Sequence, residues 1–338
     1  MDDLLKFTDK GIFCEVGNFF IDPWKPVDNA VITHAHSDHA RWGSRHYLAH
    51  TDSREILKLR LGSDIRLRTV QYGEEVLING VKVSLHPAGH IFGSAQIRVE
   101  HQGEVWVASG DYKTESDGFT IDFQPVKCHT FITESTFGLP VFKWQQQSIV
   151  IDEINNWWKE NKEAGKTSIL CAYALGKAQR LISAIDHSIG DIYVHGSVAN
   201  VNEALVNNGA VLPNTIRVTN EIDKSLYRGN LVITPVSGLG SSWVNKFSPY
   251  ETAMVSGWMN IRGMKRRRAV QRGFVLSDHA DWTGLNEAVR ATGAERVFVT
   301  HGYHSVFARH LSENGLDAQE VITQYEGEQF TGQTEEKS

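Results

Sequence analysis

Cysteine is scarce in this chain and never paired. Cys14, Cys128 and Cys171 stand far apart with no CxxC spacing, so neither a disulfide framework nor a thiolate zinc cluster is expected, only buried apolar thiols in a reducing compartment. Long apolar runs are missing too. No stretch approaches the roughly 18 residues that a membrane helix needs. The opening MDDLLKFTDKG has neither the basic nor the apolar region of a secretion signal. The expectation is a cytoplasmic protein with no membrane association. Positive charge is not in excess: 34 Lys and Arg face 40 Asp and Glu, for a net charge of −6. That argues against a protein that merely coats nucleic acid, while leaving room for an enzyme that is basic in one groove. There is no internal repeat and no low-complexity tract.

What is present has three textures. Residues 1–145 read as short strands, with Val81–His86, Gln96–Glu100 and Glu104–Ser109 as examples. The stretch IRVEHQGEVWVAS reads as a hairpin turning at His101-Gln102-Gly103, and a helix is expected near Ser53–Leu61. Residues 146–268 alternate helix and strand, the pattern of a small parallel α/β domain. Residues 269–330 return to strand and helix, and 331–338 form a loose polar tail. The simplest organisation is one domain interrupted by another.

The strongest chemical signal is Thr33-His34-Ala35-His36-Ser37-Asp38-His39. Four potential ligands fall in a six-residue window directly after a β-branched run. Neutral imidazole and carboxylate are the donors that Zn²⁺ or Mn²⁺ takes, and a tight loop at a strand end can aim them at two neighbouring ions. Three more segments end strands in polar donors: VSLHPAGH at His90, EVWVASGD at Asp111 and VFVTHG at His301. Asp111, after a small-residue turn, suits a bridging carboxylate. His86 and His304 lie near enough in sequence to be supporting residues.

The string HxHxDH with a later GH and GD resembles the metallo-β-lactamase superfamily, and the match runs through the chain in order. The resemblance implies an αββα sandwich. Asp22 in FFIDPW matches the Asp that orients the metal loop; His34, His36, Asp38 and His39 match the second motif, His90 the third and Asp111 the fourth. The remainder of the chain resembles the β-CASP nucleic-acid branch, with Glu134 in ITESTFG at its motif A, His279 in LSDHAD at motif B and His301 at motif C. The α/β stretch between A and B then corresponds to the β-CASP insertion. More narrowly, LHPAGHIFGSAQIRVE, SGDYK, ESTFGLP and LSDHADW resemble the bacterial ligase-associated DNA exonucleases.

This resemblance implies a DNA exonuclease acting on single strands or duplex ends, with a DNA ligase as pathway partner. The alternative is an RNA-processing nuclease of RNase J type, favoured by the His at motif C. Two divalent ions are implied, zinc first and manganese second. One would be held by His34, His36, His90 and Asp111, the other by Asp38, His39, Asp111 and His301. Asp38 could also receive a proton. His279 would act as general acid, oriented by Glu134. Gly176 and Lys177, at a strand-to-helix crossing, are candidate phosphate contacts. Arg262, Lys265, Arg266, Arg267, Arg268 and Arg272 make a basic run suited to a nucleic-acid backbone. Trp243, Phe247 and Trp258 are candidate base-stacking residues.

Overall fold

The structure, a computed structural model, describes residues 3–263 and 270–325. The described chain divides into two compact units, one of residues 3–116, 120–143 and 279–325, the other of Asp117–Phe119 and Trp144–Asp278.

The first unit opens with a six-stranded sheet in chain order: β1 (Lys6–Phe7), β2 (Ile12–Cys14), β3 (Phe19–Ile21), β4 (Asn29–Val31), β5 (His46–His50) and β6 (Leu67–Val70). The helix Arg54–Leu61 lies between β5 and β6 in the chain. A second sheet begins with β7 (Val76–Ile78), β8 (Val81–Pro87), β9 (Ala95–His101), β10 (Glu104–Ala108) and β11 (Thr130–Ser135). Hairpin β9–β10 turns through Gln102 and Gly103, whose φ angles are 50° and 86°. Both are positive, as a two-residue turn matching the strand twist requires.

The second unit carries a wholly parallel sheet: β12 (Thr167–Cys171), β13 (Ile192–Val194), β14 (Ile216–Arg217), β15 (Leu231–Thr234), β16 (Tyr250–Val255) and β17 (Arg272–Phe274), in spatial order β14-β13-β15-β12-β16-β17. Its central strands are buried on both faces, so they read as unbroken apolar runs. Leu170 and Ile233 pack with Ile154 and Trp158 of helix Gln147–Glu163, while Ile169 and Val232 pack with Tyr227 and Phe247. Strand β17 pairs with β16, so this unit ends at Asp278 rather than at residue 268. In sequence the GFV run resembles the return of the first domain, because only its pairing partner distinguishes the two possibilities.

The chain then returns to the second sheet through helix Trp282–Thr292, β18 (Arg296–Gly302), helix His304–Glu313 and β19 (Asp317–Glu320), completing the order β19-β18-β11-β10-β9-β8-β7. Side-chain alternation with period two assigns each strand two jobs. Trp106, Ile132 and Phe298 face the first sheet and pack with Ile12, Phe19 and Val31. Their neighbours Val107, Phe131, Val297 and Val299 face outward and pack under Leu285, Val289, Phe307 and Leu311 of the two helices. Among the described residues no helix is long and apolar enough to cross a membrane.

Candidate metal centre

Strands β10, β11 and β18 are parallel neighbours. Their carboxyl ends therefore open at one edge of the sheet, the edge where open α/β sheets bind ligands. Asp111 comes just after β10, Glu134 lies near the end of β11 and His301 near the end of β18. The loop after β4 supplies His34, His36, Asp38 and His39, and the β8–β9 loop supplies His90. His279 is the first residue of the chain's return to this unit.

Two glycines let these loops approach. Gly110 has φ 58°, and a Cβ there would lie 2.6 Å from Thr33 Cβ. Gly89 has φ 72°, and its Cβ would lie 2.4 Å from the Lys113 carbonyl oxygen. Any side chain at either site is both strained and blocked.

The donor atoms converge. His34, His36, His90 and Asp111 each offer an atom within 4.8 Å of the others, and so do His39, Asp111 and His301. Asp111 belongs to both groups. Its Oδ2 lies 3.5 Å from His34 Nε2 and 3.7 Å from His90 Nε2, while its Oδ1 lies 3.5 Å from His39 Nε2 and 3.0 Å from His301 Nε2. Asp38 Oδ2 is 3.6 Å from His39 Nε2.

Hydrogen bonds behind the rings set which nitrogen faces inward. The Thr33 hydroxyl donates its only proton to Asp22 Oδ2 at 2.5 Å, so at 3.0 Å from His34 Nδ1 it accepts. His39 Nδ1–H donates to Asp22 Oδ2 at 2.7 Å. The Thr300 hydroxyl donates to the Thr133 carbonyl at 3.0 Å and accepts from His301 Nδ1 at 3.1 Å. Each ring is thereby left with a lone pair on Nε2 aimed at Asp111. His34 Nε2 and His39 Nε2 are buried without a hydrogen-bond partner. Buried acceptors facing a buried carboxylate need a cation or a proton between them. The donors are nitrogen and oxygen, so the site fits divalent ions such as zinc or manganese.

Electrostatics agree. Burial, reinforced by the neighbouring His39 imidazole, holds His34 well below the ordinary histidine value, in its ligating neutral form. Burial pulls His39 down, but the Asp111 and Asp38 carboxylates overcome it and raise its pKa well above the ordinary value. Burial would raise Asp111, yet His39, His301 and His279 keep it well below the usual carboxylate range. Without a metal, a proton takes the place that a cation would fill.

Glu134 and His279 form a second buried arrangement. The His279 Nδ1–H donates to the Glu134 carboxylate, 2.8 Å from Oε2 and 3.0 Å from Oε1. Glu134 also accepts from Tyr112 N at 2.8 Å and from the Thr136 hydroxyl at 2.5 Å. With Nδ1 engaged, Nε2 is the His279 atom able to exchange a proton. The His279 and His90 rings lie 4.7 Å apart, centroid to centroid.

Other sequence expectations land elsewhere. Gly176 is the N-cap of helix Lys177–Ala184 with φ 95°, but Lys177 is only 1% exposed and its amine lies 3.7 Å from Asp278 Oδ2. Its charge is thus already paired within the second unit. Arg262 is exposed, and Lys265, Arg266, Arg267 and Arg268 lie outside the described residues. Phe247 is not a stacking surface: its ring is buried against Tyr227. Trp243 and Trp258 are half-buried. His86 bonds Ser84 and His304 bonds Glu320, so neither supports the donor cluster through these contacts. The three cysteines are buried free thiols.

Sequence reasoning passed over Thr33, Thr300 and Tyr325. The two threonines had a signal, a repeated Thr-His at the end of a Val/Ile-rich strand; Tyr325 had none.

No family model matches the chain. Over 317 residues, 93% of its length, it is 29% identical to a probable DNA ligase of Opitutus terrae, covering 30% of that protein. It is 29% identical over 125 residues to cleavage and polyadenylation specificity factor subunit 3 of Dictyostelium discoideum, 36% of this chain and 16% of the relative. The endoribonuclease YSH1 of Yarrowia lipolytica is 28% identical over 127 residues, 36% of this chain and 15% of that one. The chain thus spans less than a third of each of these relatives. A protein of unknown function from Enterococcus faecalis shares the fold at TM-score 0.58 and 10% identity, over 80% of this chain and 74% of that one.

The fold and the donor cluster at its sheet edge are those of the metallo-β-lactamase superfamily. Within it, the ordered motifs resemble those of the β-CASP branch, and the chain is similar to these relatives over 36–93% of its length.

Proposed function

We propose that the protein is a metal-dependent nuclease, specifically a cytoplasmic DNA exonuclease working in repair beside a DNA ligase. The carrying observation is the shared carboxylate: Asp111 belongs to two donor sets and also groups with Glu134 and His279. In this reading His34, His36, His90 and Asp111 hold one ion, and Asp38, His39, Asp111 and His301 hold the other, zinc suiting the histidine-rich sets best and manganese second. Two bound divalent ions would supply charge stabilisation for a phosphate and a nucleophilic hydroxide at neutral pH.

The chain's own groups do the rest. Asp22 holds His39 in its ligating tautomer. Asp38, half-buried at the site's edge, accepts a proton as the nucleophile is activated. His279, held at Nδ1 by Glu134, donates from Nε2 to the leaving oxygen. Arg262 and the basic residues Lys265, Arg266, Arg267 and Arg268 add backbone affinity that falls with salt. Gly176 and Lys177 would act on phosphate only through a rearranged Lys177–Asp278 pair.

Support for DNA comes from the relative named as a ligase, matched over 93% of this chain. The second reading, RNA processing, is favoured by His301 at motif C and by relatives named for polyadenylation and endoribonuclease activity. The test uses metal-loaded protein with 5′- and 3′-labelled single-stranded DNA and the matching RNA, with Asp111→Ala as control. Stepwise DNA shortening that RNA does not match, lost in the control, is expected. Efficient RNA cutting with inert DNA would transfer the protein to RNA processing.

A further inference from the structure

The residues after β19, which is parallel to β18, run on towards the donor cluster. Val321 N–H donates to the Val299 carbonyl at 2.8 Å, continuing the line of β18 towards His301. The Arg41 guanidinium, two residues past His39, donates to the Gln324 carbonyl at 3.1 Å. Between these anchors and the cluster lies Tyr325, a buried ring.

Among the described contacts, Tyr325 meets the cluster at His39 and His301. Its ring lies flat on His39, with centroids 4.5 Å apart and planes 9° apart. It meets His301 edge-on at 5.7 Å. Its hydroxyl donates to the Asp22 carbonyl at 3.1 Å. Asp22 is the residue that accepts the His39 Nδ1–H, and its backbone is held at φ 42°, a conformation that non-glycine residues keep only when their surroundings enforce it. Trp24 backs the tyrosine edge-on at 5.5 Å. A cavity of about 20 Å³, room for roughly one water, lies beside these groups, lined in part by Asp22, Thr33, His39, His301 and Tyr325. Removing the ring would enlarge it along the His39 face.

We infer that segment 321–325 is a strap for one of the two metal positions, and that Tyr325 is a positioning residue for His39. The ring prevents the His39 imidazole from tilting, and the hydroxyl's bond to the Asp22 carbonyl keeps the ring itself in place. The His34, His36 and His90 set has no such contact with Tyr325 among the described interactions. Loss of Tyr325 should therefore weaken one metal position and spare the other. Supporting groups behind metal-bound histidines are worth roughly 10–100-fold in affinity.

The inference rests on the two-ion site of the proposed function, and its test reads metal binding rather than cutting. Metal-free full-length protein is titrated with Zn²⁺ against a chromogenic chelator. Wild type should take two ions. Tyr325→Ala should hold one of them about 10–100-fold more weakly and the other within about threefold. Tyr325→Phe, which keeps the flat ring, should restore most of the difference. Should the alanine variant fail to fold, Tyr325→Leu fills the space without stacking and carries the same expectation. Equal weakening of both ions, or of neither, overturns the strap. Wild-type protein that binds fewer than two ions would overturn the two-ion reading and the strap together, an outcome distinct from normal wild-type binding with unaffected variants.

Discussion

Asp22→Asn changes almost no volume and should still disable the site. Asp22 is 2% exposed and accepts from Thr33 N at 2.8 Å, from the Thr33 hydroxyl at 2.5 Å and from His39 Nδ1 at 2.7 Å. An asparagine can keep its carbonyl towards Thr33 N. Its amide then faces two donors. The Thr33 hydroxyl must reverse and donate to His34 Nδ1, moving the His34 proton to Nε2. His39 likewise keeps a neutral hydrogen bond only by moving its proton to Nε2. Both moves block the nitrogen that faces Asp111, in one donor of each set. Each lost supporting interaction should weaken metal binding roughly 10–100-fold, or about 1.4–2.8 kcal/mol per position. A hydrogen bond to a buried charge is worth about 1.5–3 kcal/mol, so the same scale emerges from the bond itself. The assay is Zn²⁺ competition with a chelator, with far-UV dichroism to establish that the variant is folded. Both positions should weaken, unlike the one-sided effect expected for Tyr325. A folded Asp22→Asn protein that binds two ions with wild-type affinity would refute the tautomer argument.

Glu134→Gln should leave two ions bound but lower kcat by about 10²–10⁴-fold, the usual worth of a positioned general acid; loss of an ion instead would mean that Glu134 is itself a ligand. The His39 shift makes a pH prediction. Its raised folded value means that the charged ring stabilises the metal-free protein fully below the unfolded value of 6.5 and that this contribution is lost as pH rises through the folded value. The metal-free melting temperature should therefore fall on raising the pH from 6.5, and excess Zn²⁺, which displaces that proton, should reverse the fall. A metal-free melting temperature that climbs over the same interval would contradict the assignment.

Much of the first unit is legible from local pattern, because a two-sided sheet leaves a two-residue signature. Val81, Val83 and Leu85 alternate with Lys82, Ser84 and His86, and the structure buries the first three in the core between the sheets. The second unit's strands are visible as short apolar runs between helices. Features set by distant partners are not. Strand β17 is three residues long, and only its pairing with β16 assigns it to the second unit's sheet. Lys177 sits after a glycine at a helix start, the local form of a phosphate site. Asp278, far along the chain, pairs with it in the fold, and the same carboxylate also lies 3.0 Å from Arg180 Nη1. Phe247 gives no local sign that Tyr227 covers it.

The donor cluster divides along the same line. Ligand positions are legible because donors must come at strand ends, and strand ends are a local property. Ligand orientation is not, with one exception. Thr33-His34 and Thr300-His301 place a hydroxyl immediately before each imidazole, and in both the hydroxyl gives its proton to a deeper acceptor and takes the ring's Nδ1 proton. The two pairs come from different sheets and face Asp111 from opposite oxygens. The same dipeptide solves the same problem twice: a histidine at a strand end needs its rear nitrogen satisfied inside the protein, and the residue before it is the nearest that can reach. His39 has no preceding hydroxyl, since the residue before it is Asp38, whose carboxylate is itself turned to the site. Its support therefore comes from Asp22 and Tyr325, both remote in sequence: the first is visible through its motif, whereas the second shows only in the fold.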